Sequence, residues 1–137
     1  MFKIKDKGLS EWGEAMALME KEMPKQSKQL LRRVGTVSRQ IVARKAKQLV
    51  KRKSGTYHKS IKRGKIWTEN GQLLIRVYSK APHKFLIELG HRIVGKDGTE
   101  HGFKPGLKVF EKAGNEIEDK YDQLIEQEFD RLMHKLK

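Results

Sequence analysis

The sequence predicts an α+β fold, in which a small antiparallel β-sheet packs against a long basic N-terminal helix and a long C-terminal helix. Three observations predict it. Apolar residues recur at three- and four-residue spacing after Pro24, residues 72–79 alternate between two faces, and a second amphipathic pattern fills residues 107–137. The 137 residues fit one domain, 1–137, large enough to bury a core without a covalent staple. The chain has no Cys, which excludes disulfides and thiolate metal sites.

The helix after Pro24 is expected to bury one face and to end near Lys53, before the Ser54–Gly55 pair. Its apolar positions are Leu30, Leu31, Val34, Val37, Ile41, Val42, Leu49 and Val50. A stripe away from that face carries Arg33, Arg44, Lys47 and Lys51. Residues 1–23 are predicted to form an N-terminal helical arm. In it Ser10 caps a short helix that carries Trp12, Met16 and Met19 on one side.

A β-hairpin is predicted next, around the turn signal Asn70–Gly71. In Gln72–Ser79, one face carries Leu73, Ile75 and Val77 and the other carries Leu74, Arg76 and Tyr78. The partner strand is expected over residues 60–68, where the alternation is poorer.

The following segment allows more than one structure. Ala81–Leu89 fits either a short helix or an extended segment, with Phe85, Leu86 and Leu89 on its buried side. His91–Gly106 holds five Gly or Pro residues in sixteen, which fits a flexible loop or a long hairpin. Residues 107–137 predict one helix of roughly 45 Å, whose end projects toward a neighbouring subunit. Its apolar stripe is Phe110, Ala113, Ile117, Tyr121, Leu124, Ile125, Phe129, Leu132 and Leu136.

Charge is distributed unevenly along the chain, whose formal net charge is +14. Residues 23–68 contain fifteen Lys and Arg and no Asp or Glu, whereas residues 111–130 contain eight acids. Such asymmetry indicates an anionic partner, subunits that dock by opposite charge, or a solvated basic face without a ligand.

A catalytic site is not predicted, because the sequence has no nucleophile motif and no phosphate-binding loop. His58 with Lys59 and Arg63 resembles the basic cluster of a small ribonuclease, but no carboxylate lies nearby in the sequence. Glu88 is interpreted as a surface acid or an ion-pair partner. The five His lack the spacing of a zinc site, so neither a metal nor a cofactor is expected.

Nucleic acid is the alternative partner, because a cationic stretch binds phosphates without reading sequence. The residues expected to face DNA or a protein partner are Arg33, Arg39, Arg44, Lys47, Lys51, Arg52, Lys53, Lys62 and Arg63. Trp67 and Tyr78 fall on neighbouring predicted strands and could stack bases, although burial in the core is the commoner fate of such residues. No apolar run approaches the roughly 20 residues of a membrane helix, and the first residues lack a signal-peptide pattern. A soluble cytoplasmic protein is therefore expected.

The order of several short motifs resembles a known family. The motifs are SGTYHKSIKRGKIW, then VYSKAPHKFLIELGH, then a Gly-rich loop, then FKPGLKVFEKA at the start of a long helix. They resemble the neck and tail-completion proteins of tailed phages and prophages, over about residue 30 to the C-terminus. The residues that match the family pattern are Gly55, Ser60, Ile61, Ala81, His83, Phe85, Glu88, Gly90, His91 and Gly106. His83 departs from the more usual Tyr, and the Gly-rich loop is short.

The resemblance implies a non-enzymatic structural subunit of the head–tail connector, found in the virion and, during assembly, in the host cytoplasm. It implies a homo-oligomeric ring of six-fold or twelve-fold symmetry around the DNA channel. Head-closure or adaptor proteins would contact the ring on one side, and the tail terminator or tail tube on the other. Non-specific contact with DNA and no contact with a membrane are expected.

Overall fold

The computed structural model describes residues 2–5, 13–51 and 55–136, and it is an α+β fold. The helices are α1 (Gly13–Glu22), α2 (Pro24–Leu49), α3 (Thr56–Lys59), α4 (Lys84–Leu89), α5 (Val109–Asp119) and α6 (Tyr121–Leu136). The strands are β1 (Phe2–Lys5), β2 (Ile61–Arg63), β3 (Trp67–Glu69), β4 (Gln72–Ser79), β5 (Gly90–Val94) and β6 (Glu100–Pro105).

Strand β4 is the centre of the larger sheet and pairs antiparallel with β1, β2 and β3. The sequence did not predict β1, and within the described part of the expected helical arm over residues 1–23, Phe2–Lys5 is a strand and Gly13–Glu22 is helical. Ser10 and Trp12 lie outside the described residues. The partner strand expected over residues 60–68 is divided into β2 and β3.

The predicted faces of β4 are confirmed. Leu73, Ile75 and Val77 are buried in the core, whereas Arg76 is exposed on the other face. Helix α2 covers the buried face and approaches it closely at Gly35, where a Cβ atom would lie 2.9 Å from Cδ1 of Ile75. The predicted apolar stripe of α2 lies in the same core, which packs the helix directly onto the sheet.

Helices α5 and α6 run antiparallel to α2. Lys45 pairs with Glu116 at 3.7 Å and Arg33 pairs with Glu128 at 3.2 Å. Twelve residues separate the two contacts on each partner, so the register along α2 continues from α5 into α6. The prediction of one C-terminal helix is wrong at Lys120, where the backbone N–H is shared between the carbonyls of Glu116 and Ile117, both at 3.2 Å. This tightened turn interrupts the helix without turning the chain away from α2.

Two predicted helix ends also differ from the structure. Helix α2 ends at Leu49, because Val50 is extended (φ −105°, ψ 121°) and its carbonyl accepts a hydrogen bond from His58. The C-terminal helix was expected to project, but Leu132 is buried in the same core as the residues of α2. The described part of α6 therefore packs against the rest of the domain and does not project from it.

Glu88 joins α4 to α5, which corrects its interpretation as a surface acid or ion-pair partner. Its carboxylate accepts hydrogen bonds from the backbone N–H groups of Phe110 at 2.9 Å and Glu111 at 3.1 Å. These are N–H groups of the first turn of α5, which have no acceptor within the helix. A negative charge at this position also interacts favourably with the helix dipole.

Beside this cap, the two ends of the β5–β6 hairpin meet in a close backbone contact. Gly90 has a φ of +89°, and a Cβ atom there would lie 2.7 Å from the nitrogen of Gly106. A Cβ atom on Gly106 would lie 2.6 Å from the carbonyl carbon of Glu88. The N–H of Leu107 donates to the carbonyl of Ile87 at 2.8 Å. Only glycine satisfies these positions, and the hairpin base is thereby fixed to α4 and α5.

Replacing Glu88 with alanine should lower the free energy of unfolding by about 1–2 kcal/mol, because two backbone N–H groups lose their acceptor. The comparison variant is Glu118→Gln, which removes an exposed carboxylate from α5 without touching the cap. Urea unfolding followed by circular dichroism measures both. Equal midpoints for the two variants would show that the Glu88 cap contributes nothing to stability.

Candidate interaction surface

Helix α4 presents its large apolar side chains to solvent. Phe85, Leu86 and Leu89 are 59%, 52% and 66% exposed, so the prediction that they form the buried side of this segment is wrong. The six-residue helix has room for one inward side, and Ile87 and the capping Glu88 occupy it. The helix alternative for Ala81–Leu89 is confirmed, with the apolar side reversed.

Strands β5 and β6 form the long hairpin that was one of two structures predicted for His91–Gly106. Among the described strands they pair only with each other, and every residue of β6 is exposed. Ile93 pairs with Gly102 and Arg92 pairs with Phe103, so Ile93 and Phe103 lie on opposite faces of the two-stranded ribbon. Both side chains are exposed, as is Val94. The hairpin therefore leaves apolar groups uncovered on both faces.

We call these six residues the apolar docking surface: Phe85, Leu86 and Leu89 on α4, and Ile93, Val94 and Phe103 on the hairpin. Large exposed apolar side chains that cluster on one part of a soluble protein mark an interaction site more often than scattered ones do. The only other large hydrophobic residue that is similarly exposed in the described part of the chain is Leu18 on α1.

The tip of the hairpin is held by local hydrogen bonds. The N–H of Thr99 donates to the Asp97 carboxylate at 3.0 Å, and the N–H of Gly95 donates to the Thr99 carbonyl at 2.9 Å. The hydrogen bonds from Thr99 lower the pKa of Asp97 below its ordinary value. The tip thus has a defined turn, and the His101 side chain lies close to it at Gly95.

The basic residues predicted to face DNA or a partner differ in their exposure and in their contacts. Arg33 pairs with the nearly buried carboxylate of Glu128, and Arg39 donates to the Ile61 carbonyl at 3.1 Å. Both therefore have structural partners. The exposed members of the set are Arg44, Lys47 and Lys51 near the end of α2, and Lys62 and Arg63 on β2. Arg52 and Lys53 lie outside the described residues.

The family-pattern residues mostly build the fold. Ser60 donates to the Tyr57 carbonyl and hydrogen-bonds the Ser79 hydroxyl, both at 2.6 Å, and the Ser79 hydroxyl accepts the N–H of Ala81 at 3.1 Å. Gly55 has a φ of +80° before α3. Ile61 and Ala81 are buried, His83 is exposed before α4, and His91 is half-buried beside the Arg92 carbonyl. Together with Glu88, Gly90 and Gly106, they connect the sheet to the base of the docking surface.

The histidine of the ribonuclease alternative has a structural contact. Nε2 of His58 donates to the Val50 carbonyl at 3.1 Å and ties α3 to the end of α2. Tyr57 beside it is buried, and burial, together with the charge of Glu88, raises the pKa of its hydroxyl well above the ordinary value. Among the described residues no group of three or more His, Asp or Glu is placed to hold a metal ion.

Trp67 and Tyr78, singled out as stacking residues, both lie half-buried at the outer face of the sheet rather than in the core cluster. Lys65 and Arg76 line the same depression, and sequence reasoning did not include them among the candidate residues. The alternation of β4 carried a usable signal, because it assigned Arg76 and Tyr78 to one face. The exposed Ile93, Val94 and Phe103 were also missed, although apolar residues within a Gly-rich segment were a visible irregularity.

No helix in the described part of the chain combines the length and the low polarity needed to cross a membrane. No protein-family model matches the chain, and no curated protein or solved structure is significantly similar to it.

The Arg33–Glu128 pair allows a stability prediction. Arg33→Ala should lower the free energy of unfolding by about 1–2 kcal/mol, because it leaves a nearly buried carboxylate unpaired; this allows for solvent screening of the half-exposed arginine. Arg44→Ala, the exposed control on the same helix, should stay within about 0.5 kcal/mol of the parent. Thermal unfolding distinguishes the two.

The double variant Arg33→Met/Glu128→Met tests the same ion pair by removing both of its charges. It should recover most of the lost stability, since no buried charge remains. A double variant as unstable as Arg33→Ala would mean that packing, and not the ion pair, accounts for the loss.

Proposed function

We propose that this chain is a structural subunit of a phage or prophage head–tail connector, a neck or tail-completion ring that helps join head to tail around the DNA channel. The observation that carries the proposal is the hairpin of β5 and β6, which exposes apolar side chains on both faces. The motif order described above supports the choice of family, and the apolar docking surface supports assembly with a partner.

A partner molecule would stabilise the β5–β6 hairpin by covering its exposed apolar side chains. A two-stranded ribbon alone is marginally stable in water, and Phe103 remains 59% exposed in the isolated chain. Aromatic and large aliphatic side chains contribute most of the binding energy when they enter a partner's pocket. We therefore infer that the docking surface is covered in the assembled state.

A second copy of the chain is the occupant that the charges favour. The exposed face of α2 carries Lys25, Lys28, Arg32, Arg44 and Lys47, and α5 and α6 expose Glu118, Asp119, Asp122, Glu126 and Asp130. One subunit thus presents both a basic and an acidic surface, which suits head-to-tail contacts between copies. Repetition of such a contact closes into a ring when the rotation between subunits permits it.

Assembly should depend on the apolar docking surface. The wild-type chain should sediment as an oligomer whose population grows with concentration, and Phe85→Ser/Leu89→Ser should shift it to monomer. Both side chains are exposed, so the thermal midpoint should barely change. Leu18→Ser removes a similarly exposed apolar group from α1 and should leave the assembly intact. Sedimentation velocity makes the measurement, and a wild-type chain that stays monomeric at every concentration would contradict self-assembly.

The connector role itself is tested in particles. A tagged chain is recovered from an induced lysate of the host that encodes it and imaged by negative-stain electron microscopy. Tails, tubes or head–tail junctions that carry the label support the proposal, and the position of the label identifies the ring. Ribosomes or free nucleic acid without phage structures would refute it.

A further inference from the structure

A shift in strand register moves Trp67 to the outer face of the sheet. Arg63 pairs with Val77 and Trp67 pairs with Leu74, so three residues on one strand (64–66) face two on the other (75–76). Without the extra residue, Trp67 would pair with Leu73 on the core face. The bulge at Gly64, whose N–H donates to the Arg76 carbonyl at 2.8 Å, instead places the indole on the solvent side.

The bulge opens a depression of about 300 Å³ on this outer face, which we call the sheet depression. It is lined by Gly64, Lys65, Trp67, Arg76 and Tyr78, none of which is acidic. The guanidinium carbon of Arg76 lies 4.7 Å from the centroid of the Tyr78 ring, and the indole N–H of Trp67 donates to the Glu69 carboxylate at 3.3 Å. Both aromatic rings are therefore held in orientation by a neighbouring side chain.

Cations lie beside the aromatic rings, and the Glu69 carboxylate at the indole N–H is an opposing charge. Lys65 and Arg76 are exposed, and Lys62 pairs with Tyr78 across the strands, on the same face of the sheet. A concave surface with two aromatic rings and several cations meets the two requirements of a binding site for single-stranded nucleic acid. The rings offer a platform for an unpaired base, and the cations neutralise phosphates. Duplex DNA and an acidic peptide could use the cations, but neither presents an unpaired base to the rings.

We propose that the sheet depression binds single-stranded nucleic acid, with a base against Trp67 and phosphates along Lys62, Lys65 and Arg76. Helix α2 packs on the opposite face of the sheet, so this site is separate from the exposed cations near the end of α2. It is also independent of the apolar docking surface and of the connector role.

The test uses an all-thymidine oligonucleotide and a duplex of equal length. Trp12→Phe leaves Trp67 as the single tryptophan, whose emission should fall on binding the single strand and stay constant with the duplex. Trp67→Ala should weaken binding of the labelled single strand about tenfold by fluorescence anisotropy, which is the loss of one stacked base. The anisotropy measurement uses the parent chain and does not depend on the Trp12 variant.

Charge variants locate the contacts. Lys65→Ala/Arg76→Ala should weaken binding by about tenfold or more and reduce the slope of log affinity against log salt by about 1.4, which is two phosphate contacts on a single strand. Lys47→Ala/Lys51→Ala removes the same charge near the end of α2 and should cost less than about threefold. Equal losses for the two double variants would show a diffuse charge effect and overturn the site. Duplex binding as tight as single-strand binding, or unchanged Trp67 emission at saturation, would overturn it as well.

Discussion

Helix α2 lies against the inner face of the sheet at Gly35, where no side chain separates the helix backbone from Ile75. Helix α2 contacts α1 on one side, the larger sheet beneath, and α5 with α6 alongside. A bulkier residue at position 35 would hold α2 away from β4 and loosen contacts on all sides, because closely packed interiors transmit such displacements. The close approach at one glycine thus sets the spacing on which the remaining packing depends.

The basic stretch acquires a different meaning once the fold is known. Part of its charge is matched within the chain, because acids of α5 and α6 lie beside α2 in antiparallel register. Nearby cations, first Lys120 and then Lys45 and Arg44, lower the pKa of Glu116, which keeps this contact ionised. The excess charge that remains is divided between the exposed face of α2 and the outer face of the sheet. The uneven distribution of charge along the sequence therefore partly reflects ion pairs between α2 and the helices α5 and α6.

The sequence predicted α2 and β4 because their periodicities are long and each has one face in the core. Strand β1 was missed because four residues give too little periodicity, and because its partner residues in β4 are far away in the sequence, as Phe2 and Val77 show. The orientation of α4 was predicted wrongly because an apolar side was assumed to face the core. Neither the Glu88 cap, which acts across 22 residues, nor the bulge that turns Trp67 outward could be inferred from local pattern. The predictions therefore failed where a structure depends on non-local contacts, and where an apolar side chain was assumed to be buried.

The junction at Glu88, Gly90 and Gly106 connects the β5–β6 hairpin to the start of α5. The Ile87 carbonyl accepts the N–H of Leu107 and the Glu88 carboxylate accepts N–H groups of the first turn of α5, so an outward movement of α4 would break these hydrogen bonds. A force that pulls the hairpin away from the rest of the domain would therefore also disturb the start of α5. By thermodynamic reciprocity, a partner that stabilised the hairpin would also stabilise the start of α5, and loss of the cap would weaken the binding of that partner. In the proposed assembly, the strength of the contact between subunits would thereby be linked to the stability of each subunit's own fold.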